Sequence, residues 1–173
     1  NVGRLHHDKD QATLIRGFHQ ALPHLPLNSL LYIAGKGPLG QELKQLITEL
    51  DLSTVVILAG NVPDAKRFFK AFDVFVLTSD REPFGMVLLE AMAAELPIVC
   101  SDCGGGGEVV RGFGQLFPFG NLTQLKSAIL RLSSGSEGNS STDKLNKLFS
   151  DEAAKETFWK LSFVEAIVDK ENN

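Results

Sequence analysis

Two glutamates eight residues apart are the most chemically suggestive feature of this chain. They bound the segment Glu82-Pro83-Phe84-Gly85-Met86-Val87-Leu88-Leu89-Glu90. The first falls in a loop, just before a predicted helix, and the second lies on that helix. From Phe84 to Glu90 a helix rises roughly 9 Å. Its start offers free N–H groups and the positive end of a dipole, which suit a diphosphate. Glu90, two turns in, would reach a ribose alongside the helix, and Glu82 would reach a sugar on the far side of the diphosphate. Gly85 lets the backbone come close. Met86, Val87, Leu88, Leu89, Ala91, Met92, Ala93 and Ala94 make the helix apolar almost all round, so it is expected to be buried. Glu90 on a buried helix needs a partner or ligand hydroxyls. The structural alternative is a buried ion pair, or a polar stripe shared with Glu95.

Two cations complement the glutamates. Arg4 and Lys9 both follow the first predicted strand. The planar fork of arginine suits phosphate, whereas lysine acts as a point charge. A cluster of glycines at 104–107 follows another strand. It reads as a loop whose backbone N–H groups approach a phosphate or a sugar hydroxyl. Gly35-Lys36-Gly37-Pro38-Leu39-Gly40 also matches G-x-G-x-x-G, between a strand and a helix. It follows the second strand rather than the first. The next strand ends Leu58-Ala59-Gly60-Asn61, with no acid to hold a nicotinamide ribose, and no Lys-Ser/Thr ending makes it a P-loop. Cys100-Ser101-Asp102-Cys103 has no second pair to complete a zinc site and falls at a strand end, so two ordinary thiols are expected. His6-His7-Asp8 reads as a solvated loop rather than a metal site.

The elements that must position these residues alternate. Strands are predicted near 2–4, 30–34, 55–58, 73–77, 97–100 and 115–117. Helices are predicted over about 10–22, 39–51, 64–71, 84–94 and 122–132, with a short one after the glycine cluster. Asp10 is the expected N-cap of the first. Strands this apolar are buried on both faces, and regular alternation implies a parallel sheet coated by helices on both sides. The expected fold is a doubly wound, Rossmann-like sheet of about six strands. Its ligands belong beyond the carboxyl ends of the strands. Residues 1–132 form this domain, 133–142 a polar linker, and 143–173 a C-terminal helical segment with an apolar stripe.

The whole chain has 173 residues, 43% hydrophobic and 22% charged, with a formal net charge of −4. These values fit a globular domain and argue against a nucleic-acid partner. No apolar run is long enough to span a bilayer and no signal peptide opens the chain, so a cytoplasmic setting is expected. Residue 1 falls inside a predicted strand, and a fragment of a longer protein is therefore expected.

With its surroundings, the glutamate segment resembles the Glu-x7-Glu signature of retaining GT-B glycosyltransferases, especially glycosyltransferase family 4, the group 1 transferases. The stretches carrying the likeness are Val2-Gly3-Arg4-Leu5 with Lys9-Asp10, Ala34-Gly35-Lys36-Gly37-Pro38 and Leu58-Ala59-Gly60-Asn61-Val62. They continue with Asp73-Val74-Phe75-Val76, Ser79, Phe84-Gly85, Glu90-Ala91-Met92-Ala93, Leu96-Pro97-Ile98-Val99, and Gly105 through Glu108-Val109-Val110. The likeness covers about residues 1–132 in order. Gly106 departs from it, standing where the family often has Ile.

The resemblance implies the C-terminal, donor-binding half of a GT-B fold. Arg4 and Lys9 would hold the donor diphosphate and neutralise the charge that develops on it as it leaves. Glu82 would contact the donor sugar, Gly85 and Met86 the phosphate through backbone groups, Glu90 the ribose, and Val62 the base. Gly37, Phe84 and Gly105 complete the expected donor site, while Arg81 is left unassigned. The reaction implied is transfer of a sugar, typically a hexose, from a nucleoside diphosphate to an acceptor hydroxyl with retention, in bacterial envelope or other glycan synthesis. No cofactor is expected, and no Asp-x-Asp is present to hold a metal. The acceptor would bind mainly to a further N-terminal domain, so this chain alone would turn over little, and the longer protein could associate with the inner membrane face. A nucleotide-sugar epimerase of similar architecture and a non-catalytic binding domain are the alternative readings.

Overall fold

The structure is a computed structural model and describes residues 1–135. All its strand pairings are parallel. Strand β1 (Leu31–Ala34) pairs with β2 (Val56–Gly60), setting Leu31 opposite Val56 and Ile33 opposite Leu58. Strand β3 (Phe75–Leu77) pairs with β4 (Ile98–Ser101), which pairs with β5 (Gln115–Phe117). Every residue of β3 and β4 is buried, as expected of strands covered on both faces.

The expected first strand is reduced to a single bridge, so the described residues hold five strands rather than about six, in a two-stranded and a three-stranded parallel sheet. Val2 pairs with Ala34, and the Asn1 side chain reaches across to donate to the Val76 carbonyl at 2.8 Å. These two contacts link the sheet β1-β2 to the sheet β3-β4-β5. The segment cannot extend further toward its carboxyl side. The Gly3 and Leu5 N–H groups bond to the carbonyls of Ala34 and Lys36, and the chain then tightens into a 3-10 turn at His7–Lys9.

The helices run α1 (Gln11–Ala21), α2 (Gly40–Glu49), α3 (Met86–Ala93), α4 (Gly104–Val110) and α5 (Leu122–Ser133), with a 3-10 helix at Ala65–Ala71. Asp10 caps α1 as its pattern predicts, accepting from the Thr13 N–H at 3.2 Å. Two apolar clusters form. Leu14, Phe18, Leu43, Leu125 and Ile129 join α1, α2 and α5, whereas Phe69, Leu88, Met92 and Val110 join the 3-10 helix, α3 and α4. Helix α5 runs to Ser133, with Ser134 as its C-cap. Residues 136–142 of the expected linker and the C-terminal helical segment lie outside the described residues.

Helices α1 and α5 approach closely at Gly17. A Cβ there would lie 2.4 Å from Leu125 Cδ2, and Leu125 is fully buried. Alanine gains about 1 kcal/mol of helix propensity over glycine, but overpacking a tight core costs about 1–3 kcal/mol. Gly17→Ala is therefore expected to lower the urea midpoint, whereas propensity alone would raise it.

Candidate functional site

The site begins where the apolar run of β3 stops. Thr78 and Ser79 follow Leu77 and are fully buried. The Thr78 hydroxyl lies 3.1 Å and 2.9 Å from the carbonyls of Lys9 and Asp10. The Asp80 N–H donates to the Asp8 carbonyl at 3.1 Å. Gln11 reaches back through Nε2 to the Arg4 carbonyl at 2.8 Å. The turn at His7–Lys9 is thus tied to the β3–α3 loop at the carboxyl end of the sheet. Composition pointed to neither Thr78 nor Gln11. A usable signal was two hydroxyl residues closing an apolar strand.

This stitching brings together two predicted site residues 73 positions apart. Lys9 Nζ lies 2.5 Å from Glu82 Oε2, with side chains only 17% and 11% exposed. Ser79 Oγ lies 3.5 Å from the same carboxylate oxygen. Arg4, by contrast, has a side chain 71% exposed that pairs with Asp8 at 3.4 Å. Asp8 also meets His6 Nδ1 at 2.6 Å. Burial works against its ionisation, but the His6 hydrogen bond and the charges of His6, Lys9 and Arg4 outweigh it and hold the carboxyl below its ordinary range. Arg4 and Lys9 therefore share one patch of field, although only Lys9 touches Glu82.

The glycine cluster is not a loop. Residues 104–107 form the first turn of α4, and this is a correction to the sequence reading. Their lack of side chains lets α4 press on the Glu82 loop. A Cβ on Gly105 would stand 2.0 Å from the Pro83 carbonyl oxygen, and one on Gly106 would stand 3.0 Å from Glu82 Cγ. The Gly106 N–H donates to the Glu82 carbonyl at 3.2 Å. Gly106, where the resemblance offers Ile, is buried against the glutamate. Gly37 has a similar reason: its Cβ would stand 2.2 Å from the Leu5 carbonyl oxygen. The G-x-G-x-x-G run thus packs the β1–α2 turn against the Arg4–Leu5 backbone.

Gly85 takes a left-handed φ of 81° and is the N-cap of α3. Phe84 and Met86 on either side are 45% and 64% exposed. Helix α3 is buried only on its Leu88, Ala91 and Met92 face, which corrects the expectation of an all-buried helix. The other face opens on a groove of about 620 Å³ lined by Met86, Leu89 and Glu90 and, from the 3-10 helix, Lys66, Arg67 and Lys70. Glu90 is half-buried there, and its carboxylate makes no ion pair among the described residues. Arg67 pairs instead with Asp64. Val62 does not join the Glu82 group; it lines an apolar cavity between β1 and β3.

Cys100 is buried and Cys103 caps α4, so one thiol of the C-x-x-C does stand at a helix start. Neither is activated. Burial, then the charge of Glu82, pushes Cys100 up to about 12, while burial, then Asp80 and Asp102, raises Cys103. Among the described residues, no three His, Cys, Asp or Glu side chains gather as a metal ion would require. No helix among them is long and apolar enough to cross a membrane.

Lys9→Met would leave the Glu82 carboxylate nearly buried without its counter-charge. Breaking a buried pair on one side costs about 3–5 kcal/mol, and the lower end is expected because both groups keep some exposure. Adding Glu82→Gln should recover part of the loss. Denaturant unfolding of the four variants of this double-mutant cycle checks it; additive losses would contradict the coupling.

Known proteins resemble this chain in sequence and in fold. The family described as glycosyl transferases, group 1, matches residues 1–155. An uncharacterised glycosyltransferase of Methanocaldococcus jannaschii is 39% identical over 112 residues, covering 64% of this chain and 28% of that protein. The lipopolysaccharide core biosynthesis glycosyltransferase LpsE of Rhizobium meliloti is 39% identical over 87 residues, covering 49% of this chain and 25% of LpsE. Among solved structures, HepE of Anabaena in complex with UDP superposes with a TM-score of 0.76 at 26% identity, over 92% of this chain and 48% of HepE. The chain thus spans about a quarter of these curated relatives' length. With its parallel sheet, its helices on both faces and a family match over most of its length, the chain belongs to the group 1 glycosyltransferases.

Proposed function

We propose that this chain is the donor-binding, C-terminal half of a retaining GT-B glycosyltransferase of family 4, and that its ligand is a nucleoside-diphosphate sugar. The observation that carries the reading is the Lys9–Glu82 pair at the carboxyl end of the sheet, close to the start of α3. A cation and a carboxylate held this close suit a ligand that is anionic at one end and hydroxylated at the other. The diphosphate engages Lys9, and Glu82 turns its freed lone pairs to the sugar hydroxyls.

The other roles follow from placement. Arg4 is exposed and, among the described residues, ion-paired only with Asp8, so it can swing onto the diphosphate. The Gly85 and Met86 backbone meets the phosphate at the α3 start, flanked by Phe84 and, across the loop, by Gly105. Glu90, on the open groove, takes the ribose. For Val62 the base contact rests on the resemblance alone, since its side chain lines the apolar cavity between β1 and β3, and Gly37 shapes the β1–α2 turn. As the sugar bond breaks, charge collects on the leaving diphosphate, and the two cations lower that barrier without a metal. HepE binds UDP, and LpsE and other relatives act in lipopolysaccharide or polysaccharide synthesis, which supports a uridine nucleotide and an envelope glycan for this chain. The acceptor, and any contact with the cytoplasmic membrane face, belongs to the part of the protein beyond this half, so transfer of a hexose by these residues alone should be negligible.

Titration calorimetry of the chain with UDP-, GDP- and ADP-sugars tests the reading. Saturable binding of one of them is expected. Glu90→Ala should weaken it roughly tenfold or more, since a hydrogen bond to a charged group contributes about 1.5–3 kcal/mol. Heat from none of the three, or an unchanged affinity in the variant, would count against it.

A further inference from the structure

Asp8 stands between two basic side chains and serves each with a separate oxygen. Its Oδ2 lies 3.4 Å from Arg4 Nη2, and its Oδ1 lies 2.6 Å from His6 Nδ1. An ionised carboxylate only accepts, so His6 Nδ1 carries a hydrogen. The Asp8 N–H stands 3.5 Å from the same nitrogen, too far to compete for it. The proton that charges the ring therefore enters at Nε2, on a side chain 43% exposed.

The charges around this trio are committed elsewhere. Lys9, on the same turn, reaches Glu82, and the Asp10 carboxylate caps α1. His7 meets the His6 ring edge-on, with 5.9 Å between ring centres. From the β3–α3 loop, Asp80 joins through its backbone N–H on the Asp8 carbonyl. From the β1–α2 turn, Lys36 joins through its carbonyl on the Leu5 N–H. Asp8 stays ionised near neutral pH, because burial is outweighed by the His6 hydrogen bond and the charges of His6, Lys9 and Arg4.

The donor-binding reading gives Arg4 a second destination. Once Arg4 turns to a diphosphate, Asp8 Oδ2 loses its cation while a polyanion stands nearby. A carboxylate left there repels the ligand unless another positive charge answers it. His6 is already in place to do so. We propose that Asp8 is a positioning residue that docks Arg4 before the donor arrives, and that protonated His6 neutralises Asp8 once Arg4 moves to the diphosphate, so that donor binding is coupled to proton uptake at His6. The inference rests on the donor-binding reading and adds two residues to it that act through Arg4. The proton comes from solvent, and only the N–H bond at His6 forms.

Affinity should therefore fall as pH rises through the histidine range. Calorimetric titration with UDP-glucose, GDP-mannose and ADP-glucose between about pH 5.5 and about pH 8 tests this, since the diphosphate of an intact sugar nucleotide does not titrate there. For the sugar nucleotide that binds, affinity for the unsubstituted chain is expected to fall about threefold to fivefold, the scale of a partly exposed ion pair. His6→Gln should bind independently of pH, at the weaker level. Asp8→Asn should also lose the pH dependence, but at the tighter level, because it removes the repelling charge; a merely structural role for Asp8 gives weaker binding instead. His6→Gln, on a largely solvated ring, carries the test alone if Asp8→Asn does not fold. The same pH slope in every chain, or weaker binding by folded Asp8→Asn, overturns the proposal and leaves the donor-binding reading standing. Binding of none of the three sugar nucleotides at any pH overturns both.

Discussion

A lysine and a glutamate 73 residues apart, drawn to 2.5 Å in a nearly closed pocket, set the terms for the rest of the site. Neither charge is tolerable there alone, because desolvating an ion costs several kcal/mol unless a partner stays in place. The scaffold holds that partnership from several directions. Thr78 ties the backbone of Lys9 and Asp10, Asp80 ties that of Asp8, and α4 presses on the Glu82 loop from behind. Gly104, Gly105 and Gly106 leave room for this contact, whereas Gly107 leaves room for Asp102. A single methyl at position 105 would have to displace the Pro83 carbonyl, and the glutamate with it.

The same geometry separates two halves of the proposed ligand. Lys9, Glu82 and the start of α3 gather at one end, while Glu90 lies farther along α3 on an open groove with Lys66, Arg67 and Lys70. Helix α3 serves both ends by burying Leu88, Ala91 and Met92 in the core and turning its opposite face outward. Its nearly uniform apolarity hid that division. Met86, Leu89 and Ala93 read as core residues, yet they border a groove or solvent.

What was legible in the sequence followed from local rules. The apolar runs gave the parallel strands and Asp10 gave the helix start, because period and capping are decided within a few residues. The Lys9–Glu82 contact was not legible as a contact, since only the topology brings one strand end beside another. The glycine cluster was misread because glycine permits both a ligand-facing loop and close helix packing, and the choice lies in the opposing Pro83 backbone. The first strand is reduced to a bridge at Val2, because the Gly3 and Leu5 N–H groups bond to Ala34 and Lys36 and the chain then tightens into the His7–Lys9 turn, which no local pattern announced.

The central claim is that the carboxyl edge of the sheet, organised by Lys9 and Glu82, holds a nucleoside-diphosphate sugar along α3. Amide chemical shifts during titration with a UDP-sugar test it most directly. Saturable shifts should gather at Lys9, Glu82, Gly85, Met86, Gly105 and Glu90, following one binding curve. Saturable shifts confined to other surfaces, or none at millimolar ligand in the folded chain, would contradict it.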